Sequence, residues 1–264
     1  MEKKKIDLKK GYVLVYDFGN IKLHNYATKD LLEDQVILLE KNHKLVIIES
    51  PTFYDNNEEL ESYITSLGGS VEGVLLSYHM GGGHFLENTS KYATEKANEF
   101  GHVGGGKNLI DGFASSFGPG FDEKIHDVTD FIQDKEFVLG DIQMNIIPTR
   151  DAFDIEIPEI HVLYTHMLGS DCHSIVAGEK AALDMIKELE GYIQKNYVLI
   201  VTSHYIPEGI EAVHIKISYL KNLVDIAHEC SSKEEMIDKV EDAYPNYNGE
   251  NYLEMTASFF FPEN

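Results

Sequence analysis

Short apolar runs dominate the first half of the chain. Residues 12–18, 35–40, 44–48 and 71–77 are rich in branched and aromatic side chains, the composition of β-strands. Between the third and fourth runs, Leu60, Ile64 and Leu67 recur at helical spacing and Gly68-Gly69 supplies a stop, which predicts a helix over 56–67. The fourth strand runs directly into 75–84, LLSYHMGGGH, a glycine loop with a histidine at each end. A glycine-rich, helix-compatible stretch follows over 85–121. A second strand series is predicted at 136–139, 142–147, 153–157 and 161–165. In the third of these Phe153, Ile155 and Ile157 alternate with acidic residues, so one face is wet. A helix over 180–193 places Leu183, Ile186, Leu189 and Ile193 on one side, and a buried strand over 197–202 ends in Ser203-His204-Tyr205. Helical spacing over 213–227 and a capping box of Ser231 and Glu234 predict two more helices, and 253–262, LEMTASFFFP, reads as an apolar segment docked on the core.

Composition narrows the class. The 264 residues are 43% hydrophobic and 25% charged, the balance of a folded globular protein. A formal charge of −23 opposes attachment to nucleic acid or an anionic membrane, both polyanions, so neither is expected as a partner. Cys172 and Cys230 form no CxxC and no disulfide framework, no apolar leader is read near residue 1, and no apolar run approaches the roughly 20 residues of a membrane helix. These features predict a cytoplasmic protein.

Gly101 to Lys107, GHVGGGK, has the spacing of a phosphate-binding loop. Asn108 stands where a Ser or Thr hydroxyl would meet magnesium, and a helix is read before it where a strand is required, so it is read as a surface loop. The histidines carry more. His79 and His84 flank Met80-Gly81-Gly82-Gly83, and a loop can turn both toward one centre; each reads equally well as a hydrogen-bonded turn residue. In HMLGSDCH after the strand 161–165, Asp171 and His173 share a side in extended conformation, and carboxylate with imidazole suits zinc, iron or manganese; the alternative is a loop in which Asp171 caps a helix. His204 sits at the mouth of an apolar strand, a position for a metal ligand, a general base or a structural histidine.

Three stretches carry a family resemblance over most of 11–207: KLVIIESPTFYDNNEELESYITSLGGSVEGVLLSYHMGGGHF, FVLGDIQMNIIPTRDAFDIEIPEIHVLYTHMLGSDCH and VLIVTSHYIP. Their order and spacing resemble the metallo-β-lactamase superfamily, with His204 matching the histidine after that family's last strand. The resemblance implies a four-layer αββα sandwich with a site along one edge between the sheets, here as a single domain over 1–264 with 208–264 as a helical extension. It also implies divalent metal, usually two ions, and hydrolysis of an ester, lactone, thioester, phosphoester or amide. The family motif [S/T]-H-x-H-x-D-H, aligned on Ser77, puts Tyr78, Met80, Gly82 and Gly83 at the four ligand positions. The next ligand segment, 148–152, contains no histidine, and the bridging aspartate falls near His166-Met167.

Two readings follow. In one, the chain is a metal-dependent hydrolase of a small substrate with a rearranged, mononuclear site drawn from His79, His84, Asp171, His173 and His204. In the other, the fold is catalytically inactive and its cleft binds a small ligand or a partner chain. Arg150 either orients a substrate anion or forms a surface salt bridge, Asp151 is a substitute ligand, and the tail 258–262 packs on the chain's own core or across a homodimer.

Overall fold

A computed structural model of the chain describes residues 2–262 and divides them into two compact units, one of 2–167 with 199–207 and the other of 168–198 with 208–262. The first unit opens with β1 (Glu2–Asp7), β2 (Tyr12–Asp17), β3 (Lys22–Ala27), β4 (Gln35–Lys41) and β5 (Lys44–Ile48), each antiparallel to the next. Helix α1 (Tyr54–Leu67) then crosses over to β6 (Ser70–Leu75), which pairs parallel with β5. Leu60, Tyr63 and Ile64 form the buried stripe of α1, and Gly68, at φ 71°, ends it in the left-handed conformation that glycine adopts without a Cβ penalty. β7 (Lys91–Ala93) adds to the sheet, α2 (Glu95–His102) and α3 (Gly105–Phe117) follow, and β8 (Asp130–Phe131) completes an eight-stranded sheet among the described residues.

The second sheet runs β13-β12-β11-β10-β9, with β9 (Glu136–Leu139), β10 (Ile142–Pro148), β11 (Phe153–Ile157), β12 (Val162–Thr165) and β13 (Leu199–Thr202). Its inward positions, Ile142, Met144, Phe153, Ile155, Ile157 and Val162, join Ile37, Leu39, Val46, Ile48 and Leu75 of the first sheet in one continuous core. The two sheets are therefore a sandwich. The β12–β13 pair is parallel, with Thr165 beside Thr202, so both strands release their chains at the same end.

The other unit is helical. α4 (Glu179–Gln194) lies against α5 (Ile210–His228), and α6 (Lys233–Ala243) against α7 (Glu250–Phe260). It takes in 168–198 as well as the C-terminal helices read from the sequence. Its α4 buries Ile186 and Leu189 as read, with Ala182, four residues before Ile186, completing the stripe and Leu183 left exposed. The segment expected as an apolar tail is the helix α7. Thr256 there donates to Ser174 O (2.7 Å) and accepts from Val176 N (2.8 Å), while Phe259 stays half exposed. No helix among the described residues is long and apolar enough to cross a membrane. The GHVGGGK stretch joins the end of α2 to the start of α3, a helix–loop–helix, and Lys107 pairs with Asp111 one turn on.

Candidate metal centre

Two buried carboxylates set the path of the loop after β6. Glu49, fully buried just beyond β5, accepts from Tyr78 N (2.8 Å) and Tyr164 Oη on one oxygen and from His79 N (3.0 Å) on the other. Asp122, also fully buried, accepts from His84 N (3.0 Å), Asn57 Nδ2 (3.2 Å) and the His84 ring. Between these clamps Gly82 sits at φ 81°, and a Cβ there would fall 2.0 Å from Pro51 O. Ser77 Oγ donates to Phe153 O and accepts from Phe153 N (3.1 Å), tying the start of the loop to the second sheet.

This path brings His79 to the two neighbouring strand exits. His166 follows β12 and His204 lies just beyond β13, and Ser203 N donates to His166 O (3.1 Å), extending the parallel pairing by one step. One ring nitrogen from each of His79, His166 and His204 lies within 4.8 Å of the others, the one such group of three among the described residues. His166 Nε2 and His204 Nε2 are 3.2 Å apart. Two nitrogens at zinc-ligand distance and tetrahedral angle from one ion are separated by roughly 3.3 Å. All three rings are partly exposed, so the group is open on one side.

The surroundings favour the form of His166 that donates a lone pair. Burial, with the neighbouring His79 and His204, holds His166 well below the ordinary histidine range and therefore neutral. Its ring stacks on Tyr78, centroids 4.5 Å apart and planes 12° apart, and Tyr78 Oη donates to Asp154 Oδ1 (2.8 Å) beside Thr149 Oγ1 (3.2 Å). Behind His79 and His204 lies Asp34, 1% exposed, with Thr52 Oγ1 donating to its Oδ2 (3.1 Å). Burial pushes the Asp34 carboxyl up, and His79, His204 and Thr52 outweigh that, leaving it below its usual value and ionised. Its Oδ1 receives no aligned hydrogen bond; His204 Nδ1 is 3.4 Å away and His79 Nδ1 4.0 Å. A buried anionic oxygen without an aligned hydrogen bond, beside a His204 ring whose other nitrogen faces His166, fits a centre completed by a cation.

The other residues read from the sequence lie elsewhere. His84 gives Nδ1 to Asp122 Oδ1 (2.8 Å) and packs on Tyr54, which turns it from His79. Asp171 and His173 belong to the helical unit, where a turn from Gly169 to Cys172 replaces the extended conformation assumed for them. Asp171 is exposed and its carbonyl accepts from Asn248 N (3.0 Å), while buried His173 meets Tyr219 Oη through Nδ1 (3.0 Å). Arg150 is exposed and pairs with its neighbour Asp151 (2.7 Å). Surface depressions of about 450 and 570 Å³ along α1, lined in part by Lys10, Glu58, Glu59 and Ser62, hold none of the three imidazoles. Sequence reasoning passed over His166 and Asp34. His166 carries the signal that marked His204, a histidine at the exit of an apolar strand; Asp34 carries none.

No family model matches the sequence, and no curated protein matches it. Solved structures do. A metallo-β-lactamase family protein from Thermus thermophilus superposes with a TM-score of 0.61 at 13% identity, over 91% of each chain. A metallo-β-lactamase from Erythrobacter litoralis gives 0.58 at 14% identity, over 83% of this chain and all of that one. The stereoselective inverting sec-alkylsulfatase Pisa1 from Pseudomonas sp. gives 0.59 at 12% identity over 90% of this chain, which spans about half (48%) of the sulfatase. The fold is that of the metallo-β-lactamases. At these identities the fold is what is shared.

Proposed function

We propose that the chain is a metal-dependent hydrolase whose centre is the imidazole group His79, His166 and His204, holding one divalent ion, zinc, iron or manganese, and acting on a small ester, lactone, thioester or phosphoester. The observation that carries this reading is the convergence of three imidazoles, two of them with Nε2 atoms 3.2 Å apart, in front of a buried carboxylate oxygen that lacks a hydrogen bond. A divalent cation held there supplies Lewis acidity, polarising a scissile carbonyl or phosphoryl group and activating water. The chain's own residues do the rest. Neutral His166 presents a lone pair, the Tyr78 stack fixes its plane, and Glu49 holds His79 through the backbone. Three protein ligands leave a coordination position for substrate or water, as a catalytic zinc requires. His84, Asp171 and His173 have no part in this centre. The net charge of −23 favours a small substrate over a nucleic acid or membrane surface.

The test is elemental analysis of tag-free protein beside His166→Ala and His204→Ala. Near-stoichiometric metal in the unsubstituted chain, lost from both variants, is the expected result. A chain that takes up no zinc, iron or manganese from added salts would refute the proposal and favour a cleft that binds a ligand or partner without catalysis.

A further inference from the structure

The geometry points to Asp34 as the positioning residue of this centre: its Oδ1, 3.4 Å from Nδ1 of His204, is the acceptor that side of the ring faces, and taking that N–H commits Nε2 to the face it shares with His166. This rests on the reading of the three imidazoles as a metal centre and adds to it a group that touches neither ion nor substrate.

Asp34 is held from several directions. Its carbonyl accepts from Thr28 N (3.1 Å) and Thr28 Oγ1 (3.0 Å), the next residue donates from Gln35 N to Ser203 O (2.7 Å), and Oδ2 accepts from Thr52 Oγ1. The bond from Gln35 to Ser203 places Asp34 beside the exit of β13. What remains is Oδ1, buried, without an aligned hydrogen bond, and closer to His204 Nδ1 (3.4 Å) than to His79 Nδ1 (4.0 Å). Asp34 is not one of the three converging groups, and it faces the Nδ1 side of His204, away from the Nε2 that meets His166.

An imidazole has one lone pair when neutral, and the hydrogen bond made by one nitrogen decides which nitrogen keeps it. A carboxylate at Nδ1 selects the tautomer protonated there. His204 then faces His166 with a bare Nε2, and the 3.2 Å gap between the two Nε2 atoms takes either a proton or a cation. A carboxylate partner also raises the basicity of the ligating nitrogen. Loss of the Asp34 charge therefore releases the tautomer and weakens the ligand together.

The experiment uses the full chain after chelator treatment, titrated with zinc against a chromophoric chelator, with long-range proton–nitrogen NMR of the histidine rings. In the zinc-loaded unsubstituted chain His204 is expected with Nδ1 protonated and Nε2 ligated. Asp34→Asn is expected to weaken zinc on the order of 10- to 100-fold while the metal-free variant melts as the unsubstituted chain does. Unchanged zinc affinity in Asp34→Asn, or His204 ligated through Nδ1, overturns the assignment and leaves the metal centre standing. If Asp34→Asn fails to fold, the tautomer in the unsubstituted chain decides alone. A chain that binds no zinc overturns the metal centre, and this assignment with it.

Discussion

Glu49→Gln tests whether the glycine loop is held from below as described. The substitution keeps size and shape and removes only the charge and one acceptor. Glu49 Oε1 serves Tyr78 N and Tyr164 Oη, and Oε2 serves His79 N. The amide oxygen of glutamine takes the side with two donors, which sets its NH2 group against the His79 N–H. One buried donor loses its acceptor, costing about 1–3 kcal/mol, and two charge-assisted bonds become neutral ones, costing together about 1–2 kcal/mol more. The sum, about 2–5 kcal/mol, corresponds to a fall in melting temperature of roughly 4–20 °C for a chain of this size. The damage is local to His79, so zinc affinity falls further than stability alone accounts for. Tyr164 Oη also meets Ser203 Oγ (2.7 Å), next to His204, which carries the disturbance to a second imidazole. Thermal melting followed by circular dichroism, with zinc titration of the variant below its transition, reads both effects. An unchanged melting temperature together with full zinc affinity would show that the carboxylate holds nothing.

Other consequences are as specific. Gly82→Ala should cost more than about 2 kcal/mol, since φ is positive and the new Cβ meets Pro51 O, whereas Gly112→Ala within α3 meets nothing and should stabilise by about 0.5–1 kcal/mol; urea midpoints compare them. His126 is buried and donates from Nε2 to Ser50 Oγ (3.1 Å), and burial lowers it to about 3, so the fold keeps it neutral where the unfolded chain protonates it near 6.5. That contribution is complete above about pH 6.5 and is lost toward pH 3 at about 1.4 kcal/mol per unit, and His126→Asn should flatten the acid side of the stability curve by that slope. His173→Ala should destabilise the helical unit by about 1–3 kcal/mol, as Tyr219 loses its partner, and leave zinc content unchanged; loss of the metal would refute the placement of His173 outside the centre.

The strands that could be read in advance carry either an apolar run buried on both faces, as in β4, β5, β12 and β13, or an alternation of buried and wet positions. In β10 the buried positions Ile142, Met144 and Ile146 alternate with Gln143, Asn145 and Ile147, and the pattern and the strand coincide. β1 gave no such signal. Its Lys3, Lys4 and Lys5 are exposed on a sheet edge, where charge prevents further pairing, so a real strand looks like a solvated tip. β3 was hidden for the opposite reason. His24 and Asn25 look like surface residues and are buried: the two ring nitrogens of His24 meet Tyr63 and Glu40, and Asn25 Nδ2 donates to Gln35 Oε1. Among the site residues, His79 and His204 are legible as histidines at strand exits, and His166 is equally so. Asp171 and His173 share a side only in an extended chain, and the turn from Gly169 to Cys172 removes that geometry. Asp34 looks like one more charge in the acidic stretch DLLEDQ, and only the bond from Gln35 N to Ser203 O, between residues far apart in sequence, makes it a buried partner of His204.

The same contacts explain why the loop lacks the ligands its position in the fold implies. At the four motif positions stand Tyr78, Met80, Gly82 and Gly83, and the structure gives each another task. Tyr78 is the plate on which His166 stacks. Met80 is buried, and its Cγ lies 2.2 Å from where a Cβ on Gly101 of α2 would stand, so its side chain is a packing contact with that helix. Gly82 and Gly83 pass so close to Pro51 and Lys124 that a side chain at either would collide with backbone carbonyls. A second set of ligands on this loop would require α2 to withdraw from Met80 and the chain at Pro51 and Lys124 to move, a rebuilding of the core more than an exchange of side chains. The loop has instead become support for one group of imidazoles delivered mainly by the other sheet, with His166 and His204 at the paired exits of β12 and β13 and His79 supplied by the loop. If the three imidazoles hold a metal as proposed, its strength depends on Glu49, Tyr78 and Asp34, which lie against His79, His166 and His204 respectively.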